Sequence, residues 1–268
     1  MNTTIPKRII QTSKSLNLTI AEQAAVANIR LLNPDFEYRH FDDHQVEAFV
    51  EREFPEYRQV FHSFSVPIQK YDFFRYLAVY RLGGFYFDMD VLLAASLAEL
   101  VDHACVFPFE ALTINEYLRA EHGMDWEVGN YAFGAAAGHP FLLAIIENCV
   151  RAQREHDWVA TMGRSVPRIF LDEYYVLYTT GPLLVSRTLA EFPEATNHVT
   201  VLFPEDVCDA KHWHQFGRFG IHLRQGGWRI SKGFVKTRLQ RYWELLRVKK
   251  MFAGSKKIGK ERSLEFRS

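Results

Sequence analysis

The chain has 268 residues, 48% of them hydrophobic, with 32 Lys+Arg balanced by 32 Asp+Glu. That length can bury one large core or two small ones, and a formal net charge of zero provides no global field to attract nucleic acid. Three dispersed cysteines exclude a disulfide framework and a zinc spacing and fit a reducing compartment. No apolar leader run and no membrane-spanning stretch is visible, so a cytoplasmic protein is expected. The balance hides an asymmetry: residues 232–268 hold twelve Lys/Arg against three acids.

Residues 5–12 (IPKRIIQT) have the composition of a first strand, with polar Gln11 and Thr12 at its end. Loops beyond strand C-termini form the ligand crevice of an open α/β sheet, so Gln11 and Thr12 are candidates for contacting a nucleotide; an ordinary polar turn would look the same. A helix is expected over 19–32. Thr19 caps it, Glu22 completes a capping box, and its apolar side is read as Ile20, Ala24, Ala27 and Leu31. Asn33-Pro34 ends it, residues 36–41 alternate as a second strand, and Asp42 or Asp43 begins a helix through Phe49. The β-α-β-α order points to an α/β sheet with helices packed on it.

Pro67 opens a helix that runs to Leu82 with apolar residues on nearly every side, the pattern of a buried helix. Asp72 and Arg75 interrupt it three residues apart, on one face. Gly83-Gly84 can end the helix and turn the chain. Residues 85–93 read as a strand with Tyr86, Asp88 and Asp90 on one face and Phe85, Phe87, Met89 and Val91 on the other. Carboxylates this close repel each other unless a cation joins them. Oxygen ligands suit Mg²⁺ or Mn²⁺, which also takes substrate phosphates. Asp-x-Asp alone is a weak signal that a solvated strand end also produces. Its setting here favours a phosphate-bearing substrate with a divalent ion.

Residues 96–100 are expected as a helical turn, 104–109 as a strand, and 110–127 as an irregular loop or insertion. Residues 126–135 read as a strand entering a small-residue turn, with Asn130 where a backbone could approach a ligand. Gly138-His139-Pro140 opens a helix over 141–153. A basic loop over 164–168, an aromatic and acidic stretch over 170–178, a helix over 183–191 and strands over 200–203 and 220–223 follow. His212 and His214 alternate as a metal pair on a strand would, and as exposed loop histidines would. Gly226-Gly227-Trp228 is a turn whose aromatic could cap a pocket. Residues 232–268 read as a basic amphipathic helix with a disordered end. Docking to an anionic membrane and packing on the domain both explain it.

Seven motifs now stand in order: residues 5–12, 33–38, 71–76 (YDFFRY), 83–90 (GGFYFDMD), 138–140, 180–182, and His222 with Trp228. Together they resemble glycosyltransferase family 32, the group with a DXD-motif sugar-binding region. It includes the yeast initiating α-1,6-mannosyltransferase and bacterial capsular polysaccharide enzymes and is related to the clostridial glucosylating toxins. The likeness runs over residues 5–230. It implies a GT-A fold, a Rossmann-like mixed sheet flanked by helices. It also implies Mn²⁺ or Mg²⁺, a UDP-hexose or GDP-mannose donor, and retention at the anomeric carbon. By resemblance Asp90 ligates the metal, Asp88 binds ribose or the metal through water, and His222 is the C-terminal metal ligand. Asp72 and Arg75 grip the donor sugar and diphosphate, Asn130 lies close to the transferred sugar, and Trp228 closes over the diphosphate. Gln11, Thr12 and Tyr86 join the donor contacts. Ile10 and Ser13 depart from the family's usual opening His and Trp, which leaves the base contacts open.

The expected organisation is a single GT-A domain over 1–231 and a tail over 232–268. The expected acceptor is a glycan, glycolipid or protein hydroxyl, with the tail in peripheral contact with the inner face of an anionic membrane. Two other readings stay open. Residues 87–90 (FDMD) mimic the nucleophile loop of haloacid-dehalogenase-like phosphohydrolases, although Val91-Leu92 replace the usual Gly-Thr. A non-catalytic sugar- or lipid-binding module is the other.

Overall fold

The computed structural model describes residues 4–164, 171–192, 198–224 and Leu246. The basic loop beyond Arg164, the turn holding Trp228, and the tail apart from Leu246 lie outside the described residues. Capping chemistry starts the first helices where the sequence puts them. β1 (Arg8–Thr12) leads to α1 (Ile20–Leu32), where Thr19 and Glu22 satisfy each other's backbone N–H groups. Asp42 and Gln45 repeat the device between β2 (Glu37–Phe41) and α2 (Asp43–Glu53). α3 (Arg58–Ser63) and the buried α4 (Pro67–Leu82) follow, and Gly83, with φ +64°, ends α4.

β3 (Gly84–Phe87), β4 (Val91–Leu93), β5 (Cys105–Leu112), β6 (Trp126–Val128) and β7 (Ala132–Ala135) come next. Then come α5 (Pro140–Arg154), α6 (His156–Gly163), α7 (Leu171–Thr179), α8 (Pro182–Glu191), β8 (Thr200–Leu202) and β9 (Gly220–His222). The main sheet has the order β2-β1-β3-β7-β5-β6, with β8 also paired to β5. β1 is parallel to β2 and β3, and β5 to β8, while β7 and β6 run against their neighbours. This is the Rossmann-like mixed sheet flanked by helices expected for the GT-A class. β4 leaves it to pair with β9 in a small second sheet.

Strand alternation divides the core between the two faces of the main sheet. Ile10, Tyr86, Phe107 and Phe133 face α2, α4, α5 and α8, and Phe107 stacks on Phe133 at 4.9 Å. Ile9, Phe85, Phe87 and Val106 face the other way, with Ile29 of α1, Val91 and Leu97.

Four expectations need correction. In α1 the core side is Ala25 and Ile29, whereas Ile20 and Leu31 are exposed. Both sides of that helix are apolar, so periodicity alone does not choose between them. Residues 85–93 are not one strand: β3 stops at Phe87, because adjacent acids suit a turn better than a buried ladder. Asp88 N–H donates to Tyr131 O at 2.7 Å and Val91 N–H to Asp88 O at 3.1 Å, closing the turn. The stretch 110–127 is ordered by the end of β5, a π-helical turn at Tyr117–Glu121 and the start of β6. Residues 126–135 form two strands, and the small residues belong to β7 instead of a turn.

Candidate active site

The ends of β1 and β3, one face of α4, the turn between β6 and β7, the start of α8 and strand β9 meet at one place. Gly84 lets two of them approach. Its φ is +112°, and a Cβ there would stand 2.6 Å from Arg8 O, so only glycine lets β3 lie this close to β1.

The acidic turn after β3 carries Asp88 and Asp90. β4 and β9 pair antiparallel with Val91 opposite His222, which sets the imidazole beside the turn. His222 Nε2 is 3.2 Å from Asp90 Oδ1, and the ligand atoms of Asp88, Asp90 and His222 all lie within 4.8 Å of one another. The Tyr131 ring stacks on His222 at 4.3 Å, and His222 Nδ1 is buried without a hydrogen-bond partner among the described residues. Burial disfavours a charged imidazole here, yet the hydrogen bond to Asp90 and the charges of Asp88, Asp90 and Glu110 outweigh it, so the His222 pKa is raised. Burial also raises the pKa of Asp88, against the pull of Arg75 and His222. Two carboxylates and an imidazole converging in a half-buried spot suit Mn²⁺ or Mg²⁺, with coordination left over for phosphate oxygens.

Asp72 and Arg75 share the buried face of α4. Arg75 Nη2 is 3.1 Å from Asp72 Oδ1, and its Nη1 is 3.2 Å from Asp88 Oδ1 and donates to Asn130 O at 2.8 Å. The guanidinium lies 4.8 Å from the centre of the Tyr86 ring. Asp72 also accepts from Asn130 Nδ2 at 3.1 Å and from Thr180 Oγ1 at 3.0 Å. Burial raises its pKa to about 6, held back by Arg75, Thr180 and Asn130. Tyr76 O–H donates to Thr180 O at 2.7 Å and accepts from Asn130 Nδ2 at 2.9 Å.

Asp72, Arg75, Tyr86, Asp88, Asp90, Asn130 and His222 thus stand together. Tyr86 O–H donates to Asp88 Oδ1 at 2.9 Å and lies 3.0 Å from Thr12 Oγ1. Gln11 is fully buried; its amide reaches toward Asp88 O at 3.4 Å and accepts from Tyr38 O–H at 3.0 Å, so it braces the turn. The alternation of His212 and His214 does not form a metal pair. His212 ends a 3-10 turn, His214 has φ +61°, and His214 Nδ1 instead pairs with Glu110 Oε1 at 2.9 Å. Trp228 is outside the described residues.

Sequence reasoning placed Tyr76 and Thr180 in motifs without giving them a role, and it passed over Tyr131 and Glu110. Thr180 was visible as the residue before the Gly181-Pro182 helix start, and Tyr131 as the neighbour of Asn130. Glu110 carried no signal, because its role depends on contacts with distant His214.

A family model described as the glycosyltransferase sugar-binding region containing the DXD motif matches residues 20–107, which hold Asp72, Arg75, Asp88 and Asp90. This chain carries a DXD-motif glycosyltransferase region. It is 26% identical over 230 residues to inositol phosphoceramide mannosyltransferase 3 of Schizosaccharomyces pombe, covering 78% of this chain and 56% of that protein. It is also 26% identical over 240 residues to mannosyl phosphorylinositol ceramide synthase CSH1 of Saccharomyces cerevisiae, covering 87% and 55%. The chain spans about half the length of these curated relatives. Among solved structures, the PaToxG glycosyltransferase aligns with TM-score 0.48 and 14% identity, over 73% of this chain and 72% of that one. Asp72, Arg75, Asp88 and Asp90 fall inside the matched region, Glu110 lies beside it in β5, and His222 lies beyond it on β9.

Proposed function

We propose that the chain is a metal-dependent retaining glycosyltransferase that moves a hexose, mannose first among the candidates, from a nucleotide sugar to a hydroxyl of a glycolipid or glycan. The observation that carries this reading is the meeting of Asp88, Asp90 and His222 within 4.8 Å beside the buried Asp72–Arg75 pair. Mannose and a glycolipid acceptor are supported by the names of the relatives, and GDP-mannose is the corresponding donor to test against UDP-hexoses.

Asp90, His222 and, directly or through water, Asp88 would hold Mn²⁺ or Mg²⁺, which would offset the charge growing on the leaving diphosphate. Arg75 adds a fixed positive charge beside the same place, anchored by Asp72, Asp88 and the Asn130 carbonyl. Asp72, oriented by Asn130 and Thr180, offers a carboxylate to sugar hydroxyls and fixes the sugar for attack. Among the described residues the carboxylates nearest Arg75 are engaged, Asp72 by Arg75, Asn130 and Thr180, and Asp88 by Arg75 and Tyr86. Same-face displacement therefore fits better than a covalent intermediate, and the same engagement of Asp88 disfavours the phosphohydrolase reading.

The test is a screen of donor hydrolysis in Mn²⁺ without acceptor, on wild type and Asp90→Ala, with GDP-mannose, UDP-glucose, UDP-galactose and UDP-N-acetylhexosamines. Release of one nucleotide, lost in Asp90→Ala, supports the reading and names the donor. Turnover of a phosphomonoester, lost in Asp88→Ala, with every nucleotide sugar untouched would overturn it.

A further inference from the structure

The outward side of α1 is apolar where a surface helix ordinarily carries charge. Ile20, Ala24, Ala27 and Leu31 follow i, i+4, i+7 and i+11 spacing along one stripe, and all four are exposed. Ile20 is 87% exposed and Leu31 80%, and Leu16 in the preceding loop is 60% exposed. The opposite stripe, with Ala25 and Ile29, already fills the core. A helix apolar on both sides normally has both covered.

The position of these residues is not scattered. Ile221 and Leu223, the other large exposed hydrophobics apart from Leu246, flank His222 on β9. β9 pairs with β4, and α1 lies against β4, where Asn28 exchanges hydrogen bonds with both backbone groups of Leu93. Leu16 lies in the loop and Ile20 in the first turn that follow β1, the strand that ends in Gln11 and Thr12. α1, β4 and β9 are thus connected in one side of the fold, and β9 carries His222 of the site. The cations on and beside the stripe are Lys14 and Arg30, whose guanidinium lies 5.7 Å from the centre of the Tyr38 ring, and neither pairs with a carboxylate among the described residues. Glu22 is turned back to cap Thr19.

From this combination we infer that the outer face of α1 docks on the surface of a bilayer containing anionic lipid. Leu16, Ile20 and Leu31 enter the headgroup region and Lys14 and Arg30 meet lipid phosphates, as interfacial helices do. The inference concerns a different surface from the basic tail. It stands apart from the donor chemistry, because vesicle binding is read without turnover.

The experiment is cosedimentation of the full chain with vesicles of phosphatidylcholine containing phosphatidylserine. It compares wild type, a Leu16→Ser, Ile20→Ser, Leu31→Ser triple variant, and a variant lacking residues 232–268. The triple variant should bind at least about tenfold more weakly while donor hydrolysis is unchanged, and the tail deletion should retain vesicle binding that the triple substitution removes. Folding of the triple variant is bypassed by a second measurement. A polarity-sensitive dye on Ile20→Cys, in a Cys208→Ser background, should shift to the blue on adding vesicles, and the same dye on exposed Glu51→Cys should not. Unchanged binding of the triple variant, an unshifted dye at position 20, or failure of wild type to sediment would each overturn the inference. So would a wild-type dimer in light scattering that the triple variant renders monomeric, which would make the face a contact between two copies.

Discussion

His222 Nε2 stands 3.2 Å from Asp90 Oδ1 because antiparallel pairing sets His222 opposite Val91, the residue that follows Asp90. Backbone register, not sequence proximity, builds this pair. If it holds a divalent ion, Mn²⁺ should raise the melting temperature of wild type, a chelator should reverse the shift, and Asp90→Ala and His222→Ala should each abolish it. Donor hydrolysis in those variants should drop on the order of a hundredfold or more. A full Mn²⁺ shift in both variants would move the ion elsewhere.

The same shift should depend on pH. Burial opposes charge on His222, but Asp90, Asp88 and Glu110 raise its pKa overall. The protonated ring cannot act as a ligand, so Mn²⁺ affinity should climb as pH rises through that raised value. Without metal the sign is opposite. A raised histidine pKa contributes stability below the unfolded-state value, and that contribution is lost as pH rises through the folded one. Thermal scans with and without Mn²⁺ across neutral pH read both trends.

Asp72 titrates in the contrary sense to an ordinary surface carboxylate. Burial raises its pKa to about 6, so the folded protein holds this proton more tightly than the unfolded chain. Its contribution to stability is full below the unfolded value and declines as pH rises through about 6, by about 3 kcal/mol for a shift of this size. Urea midpoints followed from about pH 4 to neutral should show this decline, most of it complete by about pH 6, in wild type and not in Asp72→Asn. Activity should rise across the same window, since the ionised form grips Arg75 and the sugar. Parallel stability profiles for the two proteins would assign the titration to another group.

Thr180→Val removes a donor from the buried Asp72 carboxylate without changing side-chain shape much. It should destabilise the fold by about 1–2 kcal/mol and move the Asp72 transition to higher pH. Stability loss with no movement of the transition would mean that Thr180 serves packing alone.

Gly129→Ala tests the support under His222. A Cβ there would meet Glu110 Oε2 and the Tyr131 ring, each at 2.5 Å. The ring is packed on the imidazole, so displacement should cost about 1–3 kcal/mol and weaken the Mn²⁺ shift while the variant still folds. An unaltered Mn²⁺ response would show that Tyr131 does not steady the histidine.

Much of this arrangement was legible in local chemistry. The capping boxes at Thr19 and Asp42, the buried α4 and its Gly83 stop depend on neighbours a few residues away, and they stand where the sequence places them. Asp72 and Arg75 share a face for the same reason. Contacts between distant segments were harder to read. The turn at Asp88 depends on Tyr131 O, the burial of one α1 side depends on which stripe meets Ile9 and Phe85, and His214 turns to Glu110 across a fold that no spacing records. Asp88 and Asp90 were found through an alternation that the structure lacks: a turn, not a shared strand face, brings them together.

That turn is also a seam. Asp88 is fastened to Tyr86 of the main sheet and to Arg75 of α4, whereas Asp90 directly precedes β4 and His222 ends β9. A cation gripping all three would add a rivet between two sheets that already share a buried cluster, where the Phe87 and Phe216 rings meet at 5.5 Å. Occupancy by one small ion would thereby be felt in the pairing of β4 with β9.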